Sequence, residues 1–340
     1  MAQNRIFYAV HAVGIGALGS TSRTYVHGVQ SAGMNTTFNL DPVFELGLLE
    51  AYEDVEGIPD VELTLEKVLD GHPPIYLLAT QDASTQTFVG RSTSKCMATL
   101  GIWQDTLESA SGNPLVEVDM SGLLVSSVGY AFPADGNFTE SVSFLGQTRT
   151  WGTTTLTANL NTGSDTPANQ AGSGGVNRRE DLIFGTGHTL LPSQGTDGGI
   201  PLVPANGVLN TDSDGSYTVH VSNITINADY NRESLVHLGN KTPYFRYPNF
   251  PSEVTCDIEV ISTSGDFVNA SETSTSNVGN KTIQVFAREG TRINLGTKNK
   301  LQSVSYGGGD TSGGNVTTVY SYRNFNTMTV THENPATPGP

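Results

Sequence analysis

This sequence lacks the usual means of catalysis, metal binding and nucleic-acid binding. Two cysteines, Cys96 and Cys256, are too few for a disulfide framework. Cys256 alternates with Val254 and Ile258 on what reads as the apolar face of a strand, so reduced and mostly buried thiols are expected. Lysine and arginine total 17 against 33 aspartates and glutamates, a net charge of −16 with a pI near 4.7. Phosphate binding needs clustered cations, so the chain as a whole should not seek nucleic acid, although it could confine nucleic acid without binding it. The N-terminal apolar run is broken by Gly14 and Gly16, too short for a membrane span. It also flows into a strand pattern, which a signal peptide would not, so a soluble, unexported protein is expected.

The motif inventory is equally thin. The seven histidines, at 11, 27, 72, 188, 220, 237 and 332, make neither H-x-x-x-H nor H-E-x-x-H, and no Cys/His set has zinc spacing. No Gly-x-Ser-x-Gly elbow is present. Asp212-Ser213-Asp214-Gly215 starts like a calcium loop but lacks the later acidic ligand, so it reads as a turn before a strand. Gly14 to Gly19 spell a literal G-x-G-x-x-G, whose chemistry requires a helix to begin inside it. The following Ser20 to Val26 is instead rich in β-formers, and a flexible glycine loop is the expectation. No catalytic residue, cofactor or metal is expected, and the protein is not read as an enzyme.

What the chain has in quantity is glycine (38 residues) and much Thr, Ser and Asn, with few stretches that suit a helix, so it reads as mainly β with long loops. It also repeats itself. Phe38 to Gly47 aligns without a gap on Tyr230 to Gly239. Each segment reads as a short capped helix, with Asp41 and Asn231 as N-caps, Gly47 and Gly239 as the left-handed terminators, and a narrow apolar stripe that must pack on a sheet. Upstream, Val29 to Thr37 faces Val221 to Asp229. Downstream, after a slip of one residue, Val61-Glu62-Leu63-Thr64-Leu65-Glu66 faces Val254-Thr255-Cys256-Asp257-Ile258-Glu259, both strictly alternating. Ser127 to Tyr130 answers Ser303 to Tyr306, and Gly136 to Thr139 answers Gly314 to Thr317.

These matches divide the chain into an N-terminal arm (1–23), a first module (24–153), a connector (154–215), a second module (216–333) and a frayed tail (334–340). The connector far exceeds an ordinary loop of about five residues. It holds two apolar islands, Asp181 to Phe184 and Ile200 to Val203, which favour docking. Pro74 to Thr80 is too short for periodicity to decide between helix and strand. The loop Tyr244-Phe245-Arg246-Tyr247-Pro248-Asn249-Phe250-Pro251 is aromatic, which makes Tyr244, Phe245, Tyr247 and Phe250 candidate contacts to a neighbouring subunit.

The runs Asp60 to Gly71 and Tyr244 to Ser262 resemble the tail tube (major tail) proteins of long-tailed bacteriophages, and the resemblance covers both modules but not the connector. It implies two tandem β-sandwich or barrel modules, each with a short flanking α-helix, whose long strands join those of neighbouring copies around a channel. Rings so formed stack into a tube through which the genome passes. Such a subunit typically has one module and forms hexameric rings. Two modules imply a trimer with pseudo-sixfold symmetry first and a hexamer second, in a virion tail assembled in the host cytoplasm. The implied partners are the chain itself, tail terminator and baseplate or tail-tip proteins, and in contractile tails a sheath, with no membrane. On this reading the polar strand faces, Glu62, Thr64 and Glu66 with Thr255, Asp257 and Glu259, point into the lumen, where an acidic wall repels DNA phosphate.

The main alternative is a non-catalytic extracellular β-sandwich for binding or adhesion. Asn-x-Ser/Thr triplets at Asn137, Asn223 and Asn315 fit it but follow from composition, and the chain shows neither signal peptide nor disulfides. A capsid or sheath protein shares the assembly logic but not the strand order.

Overall fold

The computed structural model describes residues 6–8, 11–80, 85–103, 114–152, 175–194, 198–211, 215, 217–261, 278–307 and 315–332. Asp212 to Asp214, the connector up to Gly174 and the 334–340 tail lie outside these residues. The first half contains β1 (His11–Ala17), β2 (Thr24–Tyr25), β3 (Val29–Thr37), β4 (Leu40–Phe44), β5 (Ala51–Glu56) and β6 (Asp60–Val68). The helix α1 (Ile75–Ala79) follows, then β7 (Thr85–Thr87), β8 (Cys96–Ile102), β9 (Val116–Pro133), β10 (Thr139–Gly146) and β11 (Thr148–Gly152). The second half contains β12 (His220–Asp229), β13 (Glu233–Leu235), β14 (Phe245–Tyr247), β15 (Glu253–Ile261), β16 (Gln284–Phe286), β17 (Thr291–Asn294), β18 (Lys300–Gly307), β19 (Thr317–Phe325) and β20 (Thr329–His332).

The protein is mainly β, and one large antiparallel sheet organises it. Its strands run in the order β18-β19-β15-β12-β9-β10-β6-β3, so the two halves meet where β12 pairs with β9. Alternation dictates which side of this sheet is covered. Val61, Leu63 and Leu65 in β6 are buried while Glu62 and Thr64 are exposed, and Val254, Cys256, Ile258 and Val260 in β15 are buried between half-exposed polar residues. The apolar side joins one core with α1, the strands β16, β17 and β20, and Leu191, Ile200, Val203 and Leu209 of the connector. The strand β9 serves two layers. Its second half lies in the large sheet, and its first half pairs with β8 and β11. The turn between them falls at Gly122 (φ +67°), where an added Cβ would sit 2.6 Å from Gln147 Oε1.

The short run at Pro74 to Thr80 is helical, with Ile75, Tyr76 and Leu77 buried. Its first two amides donate to the buried carboxylate of Glu140, at 2.5 Å from Ile75 and 3.1 Å from Tyr76, which satisfies groups that a helix leaves open at its start.

The two capped helices expected at Phe38 to Gly47 and Tyr230 to Gly239 are not helices. The first is a hairpin of β4 and β5, and the second is a hairpin of β13 and β14. Asp41 pairs with Val55 inside the first ribbon and caps nothing. Asn231 has φ +45° and its backbone amide donates to the Asp229 side chain (Oδ1) at 2.7 Å, a turn after β12 and not an N-cap. Gly47 and Gly239 have φ +98° and +91°, and they turn hairpins where helix ends were expected. The physical reason is nucleation. A single helical turn with a three-residue stripe and no sheet beneath it cannot form alone, whereas Val43, Phe44, Tyr52 and Val55 are β-formers with a partner strand at hand. The glycine motif also resolves as strand and turn. Gly14 and Gly16 lie in β1, paired with β8, and Gly19 (φ +79°) turns the chain towards β2.

Candidate functional site

The uncovered side of the large sheet is a polar field built row by row across the strands. One row runs Glu66, Ser141, Gly129, Asn227, Thr255, Arg323, each directly opposite the next. The row beside it runs Ala131, Thr225, Asp257, Ser321, Ser303. Between the charged ends of the first row, Glu66 and Arg323, the side chains of the two rows are short. All six residues expected on a polar face, Glu62, Thr64, Glu66, Thr255, Asp257 and Glu259, are on it. Its charged groups are Glu62, Glu66, Asp229, Glu253, Asp257 and Glu259 against Arg323 and Lys300, leaving aside Asp60, whose charge Arg246 meets at 2.5 Å. Six carboxylates less two cations leave −4 on this face. Ser127, Ser141, Asn227, Asp229, Glu253 and Thr255 line a shallow open trough where the halves meet.

The two hairpins leave the sheet at the same end, one between β3 and β6, the other between β12 and β15. They touch through Lys241 and Glu56, 2.6 Å apart and exposed; the ammonium holds the Glu56 carboxyl below its ordinary range. Both carry exposed apolar side chains. Val43, Phe44, Leu46, Leu48, Leu49 and Tyr52 are exposed on the first, and Leu235, Val236 and Leu238 on the second. Of the candidate aromatic contacts, Tyr244, Tyr247 and Phe250 are exposed. Phe245 is half-buried, under Lys95 at 4.6 Å and against Tyr247 at the same centroid distance. Sequence reasoning missed the leucines at both tips. The signal was there in Tyr52-Glu53-Asp54-Val55, a β-forming run able to pair back across Gly47.

The junction of the halves is sealed at one end by Tyr230. Its ring stacks on Phe88 at 4.0 Å and 10°, its hydroxyl donates to Phe88 O at 2.5 Å and lies 3.2 Å from Tyr76 Oη, and its amide donates to Ser126 O at 2.9 Å. Arg232 covers it. The guanidinium donates to Val125 O, Ser92 O and Arg246 O at 2.6, 2.6 and 3.0 Å, and burial lowers its pKa to about 10.

A second cluster of ionisable groups is closed off from solvent. Lys67 Nζ lies 3.2 Å from Asp70 Oδ1 and donates to His72 O and Pro73 O. Glu140 accepts from Tyr130 Oη at 2.9 Å as well as from α1, and burial raises its pKa. Glu289, in the β16–β17 turn, accepts from Thr291 N through Oε1 and places Oε2 3.5 Å from His332 Nδ1, while His332 Nε2 lies 3.2 Å from Gly71 O. Since a carbonyl only accepts, the Nε2 carries the proton and Nδ1 turns a lone pair towards Glu289. Burial raises Glu289 to about 7 and lowers His332 to about 4, which fits a proton held by the carboxyl. The cluster is buried, and it ties the 67–73 segment to β20. Among the described residues, no three His, Cys, Asp or Glu side chains converge as a metal site, and no helix is long and apolar enough to cross a membrane.

No protein-family model matches the chain, and no curated protein matches it. Solved structures do, distantly. A chain in the anti-feeding prophage baseplate aligns at 12% identity and a TM-score of 0.34, over 44% of this chain and 97% of that one. A chain in the anti-feeding prophage tube-terminating cap aligns at 14% and 0.33, over 45% and 95%. A chain in the sheath–tube complex of an extracellular contractile injection system aligns at 13% and 0.35, over 45% and 95%. At such scores the role of this chain has to be argued from its own geometry.

Proposed function

We propose that this chain is a structural tail protein that assembles, three copies to a ring, into the wall of a tail tube. The observation that carries the reading is the single eight-strand path that joins both halves, polar on one face, packed on the other, and ending in two strands, β3 and β18, whose outer sides pair with nothing among the described residues. Long unpaired edges invite other chains, and closure into a barrel removes them. Three copies supply 3 × 8 = 24 strands. The sequence resemblance to tail tube proteins points the same way.

In such a ring the polar face is the lumen, with Glu62, Thr64, Glu66, Thr255, Asp257 and Glu259 on its wall. Three chains carry 3 × −16 = −48 formal charges, and a field of that sign keeps DNA sliding without holding it. The apolar hairpins, with Tyr244, Tyr247 and Phe250, then meet the next ring in the stack, or the terminator and tail-tip proteins at its ends. The test is electron microscopy of the purified protein at high concentration. Hollow tubes or rings with true threefold symmetry are expected. A particle that stays monomeric even when a tail-tip complex is supplied removes the reading.

A further inference from the structure

The chain holds one copy of its junction sealed and one copy open, and the sealed copy specifies how the open one closes. Pairings in the first half have counterparts in the second. Asn35 lies opposite Glu62 as Asn227 lies opposite Thr255, and Thr64 opposite Ser143 as Asp257 opposite Ser321. Ser143 and Ser141 face Ser127 and Gly129, as Ser321 and Val319 face Ser303 and Ser305. Even the bulges repeat. The β3–β6 register skips Gln30 and the β12–β15 register skips Ser222, while β9 skips Ser126 against β10 and β18 skips Gln302 against β19. Bulges pin register, so β3 stands for β12 and β18 stands for β9 residue by residue.

Inside the chain, β12 pairs with β9 through Asn227 opposite Gly129 and Ile226 opposite Tyr130. We infer that β3 of one copy pairs antiparallel with β18 of a second copy in this same register, placing Asn35 opposite Ser305 and Met34 opposite Tyr306. This rests on the ring reading above and adds the register to it. The exposures mark what is missing. Tyr230, Tyr130 and Val128 at the sealed junction are 0%, 1% and 2% exposed, whereas their counterparts Phe38, Tyr306 and Val304 are 69%, 69% and 37% exposed. Phe38 follows β3 as Tyr230 follows β12, and its cradle has to come from the other copy.

Cysteine pairs in the full-length chain test the register. Directly opposed residues have Cα atoms about 4.5 to 5.5 Å apart, inside disulfide range, while a partner two residues along lies about 7 to 8 Å away. Asn35→Cys with Ser305→Cys should give covalent dimers and closed trimers on mild oxidation, while Asn35→Cys with Ser303→Cys should not. The native Cys96 and Cys256 are each 1% exposed and stay out of the reaction. Rings seen by microscopy together with cross-linking of the Ser303 pair in place of the Ser305 pair would overturn the register and leave the ring reading standing. Absence of both rings and cross-links in either variant removes the two together.

Discussion

The Glu289–His332 contact makes a testable statement about protons. In the unfolded chain between pH 4.5 and 6.5, the imidazole is charged and the carboxyl ionised, so the pair binds one proton. In the folded chain burial has lowered His332 to about 4 and raised Glu289 to about 7, so the pair again binds one proton, now on the carboxyl. Taken singly, the raised carboxyl gives stability that is lost as pH rises through its folded value, and the lowered imidazole gives stability that is lost as pH falls through its own. Across this window the two slopes cancel. Glu289→Gln removes one of them. His332 still lies beside Lys67, still donates to Gly71 O and is still buried, so its neutral form remains the folded one. The variant should therefore lose about 2 kcal/mol more than the parent between pH 6.5 and 4.5. Urea unfolding of both proteins at the two pH values measures this as a double difference, in which the titration of every other carboxylate drops out. An equal difference between variant and parent at both values would refute the proton assignment.

The paired junctions predict opposite behaviour for matched aromatics. Tyr230→Ala should cost about 3 to 5 kcal/mol in unfolding of the single chain, because it empties a stacked, buried site, whereas Phe38→Ala should stay within about 0.5 kcal/mol and abolish ring formation; denaturation and microscopy read the two apart. Asp257→Lys with Glu259→Lys replaces two carboxylates by two cations per chain and takes the polar face from −4 to zero, so tubes of this variant should retain duplex DNA at low salt and release it as salt rises, in a filter or co-sedimentation assay where the parent retains none. Gly239→Val forces a β-branched residue to φ +91° at an exposed tip; the melting temperature should fall by only a few degrees while tube yield falls much further, and a variant that assembles normally would show that the hairpin takes no part in stacking.

How much of this was legible beforehand depended on whether the signal lay within a strand or between segments. The alternation of Val61 to Glu66 and of Val254 to Glu259 set face and burial correctly, since a period of two leaves one way to satisfy both sides of a strand. Asp41 and Asn231 point to helices in the sequence but form hairpins because Asp, Asn and Gly serve helix ends and hairpin turns alike, and the competing signal in the first copy, the β-forming return strand Tyr52 to Val55, lies downstream of Gly47. The Lys67, Glu140, Glu289 and His332 cluster left no local trace at all. Its members stand up to 265 positions apart (332 − 67) and meet only because β20 runs back against the first half through β7.

The open edges follow from the same logic at a larger scale. A strand such as β18, whose sequence alternates Ser303, Val304, Ser305 and Tyr306, is patterned for a sheet interior, yet it stands at an edge. Its equivalent β9 has a neighbour on that side, and there Val128 and Tyr130 are buried. A tyrosine and a valine kept exposed on a long edge strand favour aggregation unless something specific covers them. Among the described residues, the chain supplies that cover once, with β12 on β9. On the pairing inferred above, the remaining edge takes β3 of another copy, and heterologous pairing of that kind would continue from copy to copy until the rotation closes. On the proposed pairing, the relation between the two halves of one chain is repeated between neighbouring chains, which is the condition for a closed ring of any copy number.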